Sequence, residues 1–180
     1  VARRTLSCFQ TVLGEMALRG YVSANVAAGI AIPTNSRYAQ PVTPPTLEEF
    51  QALLAAADRL ANSKNAQVAK SWERYRPMLY LAGDTGMRPG EYLALPKCNL
   101  FEAEVKVDRA VERSGHKISV TKTPAGWRWI DLSPETADMV NHYASKLAAP
   151  SSHDLVFPTA SGKWQCINNW RNRPFSAVCV

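Results

Sequence analysis

The spacing of hydrophobic residues predicts helices over most of this 180-residue chain. Between residues 2 and 19, apolar side chains recur every three or four positions, the pattern of an amphipathic helix: Leu6, Phe9, Leu13, Met16 and Ala17. Gly20 follows, and a glycine there is typical of a helix C-terminus. The stretch 33–45 has four prolines and no apolar period, which is typical of a semi-rigid linker. It separates an N-terminal segment, 1–32, from a larger domain, 46–180.

Helix signals continue beyond this linker. Thr46 and Glu49 have the spacing of a capping box, and they precede an apolar helical run that ends near Leu60. After a polar stretch, 62–70, which we expect to be a loop, a second helical pattern leads to Gly83. Later in the chain, a serine cap, a proline and an acid open another helix, which should extend from Ser133 to about Leu147.

The apolar period changes from helical to alternating between residues 105 and 132. The alternation predicts three strands, which contain the following residues in chain order: Val105, Val107 and Val111; Ile118 and Val120; Trp127, Trp129 and Ile130 to Leu132. A turn at 124–126 should join the second and third strands into a hairpin, with Lys122 close to its tip. The predicted class is therefore α+β, a mainly helical domain with a small three-stranded antiparallel sheet.

The stretch Thr85-Gly86-Met87-Arg88-Pro89-Gly90-Glu91 lies between two of the predicted helices. Gly86 allows the positive φ of a turn, and Pro89 suits the first turn of the next helix. Glu91 follows Arg88 by three residues, which places both on one helix face and puts negative charge at the helix start. A guanidinium held in this way can bind a phosphate or a carboxylate with two hydrogen bonds.

Composition and charge favour a polyanion as partner. The chain is 46% hydrophobic, enough for a packed core, and has a formal net charge of +6. The basic window 105–130 contains six lysines and arginines against two acids, so it is where we expect a polyanion to bind: Lys106, Arg109, Arg113, Lys117, Lys122 and Arg128.

Other function classes are not favoured. The four cysteines are scattered, which argues against a zinc site or a disulfide framework and indicates a reducing, cytoplasmic location. The three histidines are far apart in sequence, and no apolar run approaches bilayer length. We therefore expect no metal, no other cofactor and no membrane partner.

Arg88 and Lys122 are the two candidate catalytic cations, but spacing alone leaves simpler roles open. An arginine at a helix start is usually solvated or ion-paired, and a lysine in a hairpin usually guards a sheet edge. If the fold brings the two together, they form a cationic pocket suited to a phosphodiester.

The chain resembles the tyrosine recombinase (phage integrase) family. Residues 85–95, TGMRPGEYLAL, are similar to the first arginine motif of that family, roughly T-G-x-R-x-G-E-x-x-x-L. The stretch from Val120 to Ser133 is similar to its lysine hairpin and the following strand. Leu155-Val156-Phe157-Pro158 with Ser161-Gly162-Lys163 is similar to its phenylalanine-proline segment and glycine turn. The early stretch 20–29 resembles the end of its core-binding domain.

This resemblance implies a fold of the DNA breaking-rejoining type and a reaction without metal or nucleotide. A tyrosine cuts DNA through a 3′-phosphotyrosyl link, which a 5′-hydroxyl of another strand then attacks. Arg88 would clamp the scissile phosphate, Lys122 would protonate the leaving 5′ oxygen, and Glu91 would support Arg88. The partner would be double-stranded DNA, on which a full-length protein is expected to oligomerise. Within the basic window, the residues expected to contact DNA are Arg109, Arg113, Lys117 and Thr121.

Departures from the family pattern limit this expectation. The sequence has no H-x-x-R motif, and all six of its tyrosines precede the place of the family's nucleophile. The chain begins without Met and ends without a helix stop signal. We therefore expect a piece of a longer recombinase that does not cleave DNA alone, with 1–32 the end of a core-binding domain and 46–180 the first part of a catalytic domain. The alternatives are a degenerate relative that binds DNA without chemistry, and an unrelated helical protein with chance matches.

Overall fold

The computed structural model describes residues 2–32, 43–112, 117–120 and 126–179. The chain divides into two compact units, Val1–Pro44 and Pro45–Val180. The candidate site lies in the second unit.

The first unit is one helix with a return segment fastened to it. Helix α1 spans Ala2–Leu18, within one residue of the prediction, and Gly20 follows with a φ of +78°. The side chain of Gln10 donates hydrogen bonds to the carbonyls of Ala27 (2.9 Å) and Ile30 (3.0 Å). The side-chain amide of Asn25 donates to the carbonyl of Gln10 at 2.9 Å. Polar contacts thus hold the return segment against the helix.

Two long helices begin the second unit. Helix α2, Leu47–Ala61, starts with the predicted capping box between Thr46 and Glu49. Helix α3, Ala66–Thr85, begins earlier than predicted because the Asn65 side chain accepts hydrogen bonds from the backbone N–H groups of residues 67 and 68. Most of the predicted loop 62–70 is therefore helical. The helix continues through Pro77, which is buried.

Short helices complete the unit. Helix α4, Pro89–Leu93, is followed by a 3₁₀ turn at Lys97–Asn99. Helix α5, Pro134–His142, begins at the predicted Ser133 cap and continues as a π-helical turn, Tyr143–Leu147. Helix α6, Ile167–Trp170, likewise continues as a π-helical turn, Arg171–Phe175.

The strands differ from the predicted three-stranded sheet. In the part of the chain that the structure describes, four short strands form two antiparallel pairs: β1 (Glu104–Val107) with β4 (Arg128–Asp131), and β2 (Arg109–Val111) with β3 (Ile118–Val120). The α+β class is confirmed. The prediction of one strand from Val105 to Val111 is wrong, because β1 and β2 are separate strands. Among the described residues, β3 pairs with β2 rather than with β4.

A change of partner at Asp108 explains the division of the first strand. Val107 lies opposite Arg128, whereas Arg109 lies opposite Val120. The side chain of Asp108 instead accepts hydrogen bonds from Arg109, with Nε to Oδ1 at 2.8 Å. The two-residue spacing of Val105, Val107 and Val111 continues across Asp108, so the sequence gives no sign that the partner strand changes there.

The core lies between α3, α4, the first strand pair and the segment after α5. Its fully buried side chains include Met78, Leu81, Leu93, Val105, Val107, Val140 and Phe157. The predicted phenylalanine-proline segment, 155–158, is buried throughout. Within the described ranges, no helix has the length and apolar character needed to cross a membrane.

Candidate functional site

A left-handed turn connects α3 to α4 and positions the arginine motif. Gly86 ends α3 with a φ of +61° and ψ of 20°, and its N–H donates to the carbonyl of Ala82 at 3.1 Å. The Thr85 hydroxyl donates to the carbonyl of Leu81 and accepts from the N–H of Met87 at 3.3 Å. This turn ends α3 and leaves Arg88 at the N-cap of α4.

The second glycine of the motif allows α4 to pack directly on a strand. A Cβ added at Gly90 would lie 2.9 Å from the carbonyl oxygen of Val111 and 3.6 Å from the Cβ of Ala110. Real Cβ atoms essentially never approach a backbone atom so closely, so only glycine fits here without displacement. The motif is therefore fixed against β2 on one side and against α3 on the other.

Glu91 is a buried carboxylate that holds Arg88. Its side chain is only 3% exposed, whereas the side chain of Arg88 is 80% exposed. Glu91 Oε2 accepts from the backbone N–H of Arg88 at 2.8 Å, and Oε1 accepts from Arg88 Nη1 at 3.2 Å. The rest of the Arg88 guanidinium faces solvent, where an anion can reach it.

A second arginine, Arg128 of β4, binds the same carboxylate. Arg128 Nη2 donates to Glu91 Oε2 at 2.7 Å, and Nη1 donates to Oε1 at 3.3 Å. Its side chain is 31% exposed. In the sequence, Arg128 stands out only as one of the basic charges of its window. Strand alternation offered a signal, because Arg128 lies on the same face as Ile130, between the outward-facing Trp127 and Trp129.

The hydrogen bonds from Arg88 and Arg128 keep Glu91 ionised. Burial alone would raise the pKa of Glu91, but hydrogen bonds from Arg128 and from the backbone N–H of Arg88 outweigh it, so this pKa lies below its ordinary value. The same ion pair raises the pKa of Arg128. One carboxylate thus orients two permanent cations, and only Arg88 is largely open to solvent.

The basic window is described only in part. Lys122, the candidate general acid, lies outside the described residues, as do Arg113 and Thr121. Arg109 is on β2, and its Nε pairs with Asp108 at 2.8 Å. Lys117 precedes β3, and its Nζ pairs with Glu112 at 3.3 Å. These carboxylates offset part of the charge that Arg109 and Lys117 would present to a polyanion.

Tyr92 connects the motif to α6. Trp170 Nε1 donates a hydrogen bond to the Tyr92 hydroxyl at 2.7 Å, and both side chains are 4% exposed. Burial raises the pKa of Tyr92 to about 12, although the bond from Trp170 lowers it. Tyr92 is therefore a neutral core residue that fixes the orientation of α4.

Ligands for a metal ion are not grouped in the part of the chain that the structure describes. No three of the described His, Cys, Asp and Glu residues are close enough together to hold one. The exposed guanidinium of Arg88 on a rigid helix start can bind an anionic oxygen and stabilise charge that develops on it.

Comparison with solved structures identifies the fold. The chain is similar to XerA recombinase, with 17% identity and a TM-score of 0.53, over 85% of this chain and 49% of that one. It is also similar to the Tn1549 transposon integrase in complex with a circular intermediate DNA, with 14% identity and a TM-score of 0.66, over 91% and 52%. A lambda integrase dimer bound to a COC′ core site gives 13% identity and a TM-score of 0.60, over 97% and 44%.

These similarities give the chain a tyrosine recombinase catalytic-domain fold, as its sequence motifs predicted. The chain spans about half the length of these solved proteins. No family model matches the sequence, and no curated protein matches it.

Proposed function

We propose that this chain is part of a site-specific DNA recombinase, in which Arg88 grips the scissile phosphate. The observation that carries the proposal is the pairing of an exposed Arg88 with the buried Glu91, which Arg128 holds from its other side. The recombinase fold and the DNA in the structures of the Tn1549 and lambda integrases support this choice of anion.

Each site residue has its own role in the proposed phosphoryl transfer. A tyrosine oxygen attacks the phosphorus, the bond from phosphorus to the 5′ oxygen breaks, and a 3′-phosphotyrosyl link forms. Arg88 stabilises the negative charge on the non-bridging oxygens. Lys122 gives its proton to the departing 5′ oxygen. Glu91 keeps Arg88 in place, and Arg109, Arg113, Lys117 and Thr121 contact the DNA beside the site.

We place the nucleophile outside this chain, because all six of its tyrosines precede the place of the family's nucleophile. Tyr92, close to Arg88 in sequence, is buried with a pKa raised to about 12. Tyr143 is also buried, and burial raises its pKa to about 12. Because both side chains are buried, neither hydroxyl can reach a phosphodiester in this structure. This supports a chain that grips DNA and does not cut it.

The domain assignment follows the same proposal. Residues 46–180 form the first part of the catalytic domain, 33–45 a linker, and 1–32 the end of a core-binding domain. The full-length enzyme acts in the cytoplasm as an oligomer on double-stranded DNA.

A nicked suicide duplex tests the proposal. The chain should bind this duplex at low salt, and the binding should weaken steeply as salt rises because phosphate contacts release counterions. Denaturing gel electrophoresis should show no covalent protein–DNA product. Absence of binding at low salt would overturn the proposed function, and a covalent product would overturn the assignment of the nucleophile to another part of the protein.

A further inference from the structure

A polar cavity of about 300 Å³ lies between α3 and the segment that contains α6. Two residues of α3 form one wall, and residues from the segment 159–174 form the rest. The described residues that line it do not include any of the arginine motif, 85–91. Its volume suits a small ligand. We call it the Arg74 cavity and define it by six of its lining residues: Arg74, Tyr75, Thr159, Gln165, Asn169 and Arg173.

Arg74 is a partly buried cation that lacks a carboxylate partner among the described residues. Its neighbour Glu73 is exposed and forms no ion pair with it there. The other three partly buried arginines that the structure describes in this unit are each paired: Arg76 with Asp58 at 2.6 Å, Arg109 with Asp108 at 2.8 Å and Arg128 with Glu91 at 2.7 Å. Because a charge removed from water needs compensation, Arg74 is suited to an anion from outside the described chain.

The guanidinium of Arg74 is held in place but keeps free donors. Its Nη1 donates to the carbonyl oxygen of Pro158 at 3.0 Å, and its Nη2 donates to the Tyr75 hydroxyl at 2.8 Å. Its Cζ lies 4.6 Å from the centroid of the Tyr75 ring, a cation–π distance. Its Nε is buried and has no hydrogen-bond partner among the described residues. A guanidinium has five N–H donors, so Arg74 can bind a ligand without losing these two bonds.

The other side chains of the Arg74 cavity also favour an anion. Arg173 is exposed and has no ion pair within the part of the chain that the structure describes. Asn169 precedes it by four residues, so their side chains can meet on one helix face. Gln165 is only 5% exposed, and its Nε2 donates to the carbonyl of Phe157 at 3.3 Å. The described lining thus has two guanidinium groups and no carboxylate.

We propose that the Arg74 cavity binds a phosphate dianion, either inorganic phosphate or the phosphate of a small monoester. A phosphate monoester has a charge of about −1.5 to −2 at pH 7, which two permanent cations match. The phosphates of a DNA backbone are diesters with a single charge each, so they match less well. Arg74 and Arg173 donate to the phosphate oxygens through charge-assisted hydrogen bonds, and the Asn169 amide adds a neutral donor. The inference goes beyond the proposed function, since it depends on neither Arg88 nor DNA cleavage.

Isothermal titration calorimetry with inorganic phosphate at constant ionic strength tests this site. The wild-type chain should bind phosphate in the Arg74 cavity. Arg173→Gln should weaken this binding at least about tenfold, because hydrogen bonds between charged groups are lost. Arg171→Gln is the matched control, since it removes the same charge from an exposed arginine of the same helical segment that does not line this cavity. It should bind phosphate as the wild type does.

Arg88→Ala distinguishes the Arg74 cavity from the arginine motif, which can itself bind an anionic oxygen. This variant should keep the phosphate binding that Arg173→Gln loses. Binding that is lost in Arg88→Ala and kept in Arg173→Gln would place the phosphate at the motif and overturn the proposal. Equal phosphate affinity in the wild type and Arg173→Gln would overturn it as well.

A small diester tests the charge of the ligand. Dimethyl phosphate, which has one charge like each phosphate of DNA, should bind the wild-type chain more weakly than inorganic phosphate does. A diester that binds as tightly as inorganic phosphate, and that also depends on Arg173, would overturn the assignment to a dianion.

Discussion

Arg128 and Glu91 lie 37 residues apart in sequence and are joined by two hydrogen bonds of 2.7 and 3.3 Å. This pairing connects the β1–β4 strand pair to α4, the helix whose N-cap is Arg88. The carboxylate is buried, so its charge depends on both arginines for compensation. The position of Arg88 is therefore determined by a tertiary contact as well as by its own turn.

Removal of Arg128 should destabilise the second unit. Arg128→Gln leaves Glu91 buried with only the exposed Arg88 as charged partner, so the free energy of unfolding should fall by about 2 to 3 kcal/mol. Urea denaturation followed by tryptophan fluorescence measures this, since all five tryptophans lie in this unit. Arg59→Gln, at an exposed arginine of α2, is the control and should change little. Equal losses of unfolding free energy in the two variants would contradict a stabilising role of the Glu91–Arg128 ion pair.

The network should also make stability depend on pH. The pKa of Glu91 is lower in the folded chain than its ordinary value of 4.5. As pH falls, Glu91 therefore takes up a proton in the unfolded chain before it does so in the folded chain. The stabilisation by the ionised Glu91 is full above its ordinary pKa and is lost as pH falls through the lowered pKa. The stability advantage of wild type over Glu91→Gln should shrink on acidification. An advantage that is constant from neutral pH to below 4.5 would contradict an ionised, paired Glu91.

Gly90→Ala should separate α4 from β2. The new Cβ would lie 2.9 Å from the carbonyl oxygen of Val111, so one of the two backbones must shift. We expect a loss of about 1 to 3 kcal/mol, the usual cost of overpacking, in thermal unfolding followed by circular dichroism. Gly14→Ala is the helical control, because its Cβ meets only Asn25 at an ordinary 3.5 Å. A Gly90→Ala chain as stable as the wild type would show that α4 does not need this close approach.

Tyr92→Phe should weaken the connection between α4 and α6. It leaves Trp170 Nε1 without its buried acceptor, which costs about 1 to 3 kcal/mol for an unsatisfied donor. Tyr21→Phe removes a hydroxyl from a side chain that is 74% exposed and should have no effect. Chemical denaturation compares the two variants. A Tyr92→Phe chain with unchanged stability would mean that the Trp170 bond contributes nothing to folding.

Local signals in the sequence predicted the parts of the fold that depend on neighbouring residues. The capping box at Thr46, the cap at Ser133 and the turn at Gly86 need only a few adjacent side chains, and all three are confirmed. The polar stretch 62–70 predicts a loop, whereas the cap at Asn65 inside it starts α3 at Ala66.

Features that depend on distant residues were not predictable in this way. The division of the first strand at Asp108 follows from which strands lie beside it, not from its own alternation. The role of Arg128 follows from the register of β4 with β1, which carries its side chain to Glu91. Within the sequence, Arg128 is one basic residue of six in its window.

The central claim is that Arg88 contacts a DNA phosphate, and the salt dependence of duplex binding tests it most directly. The logarithm of the affinity falls linearly with the logarithm of salt concentration, and each phosphate contact contributes about 0.9 to the slope. Arg88→Ala should lower this slope by about that amount, whereas Arg59→Ala should leave it unchanged. An Arg88→Ala chain with the wild-type slope would contradict the account.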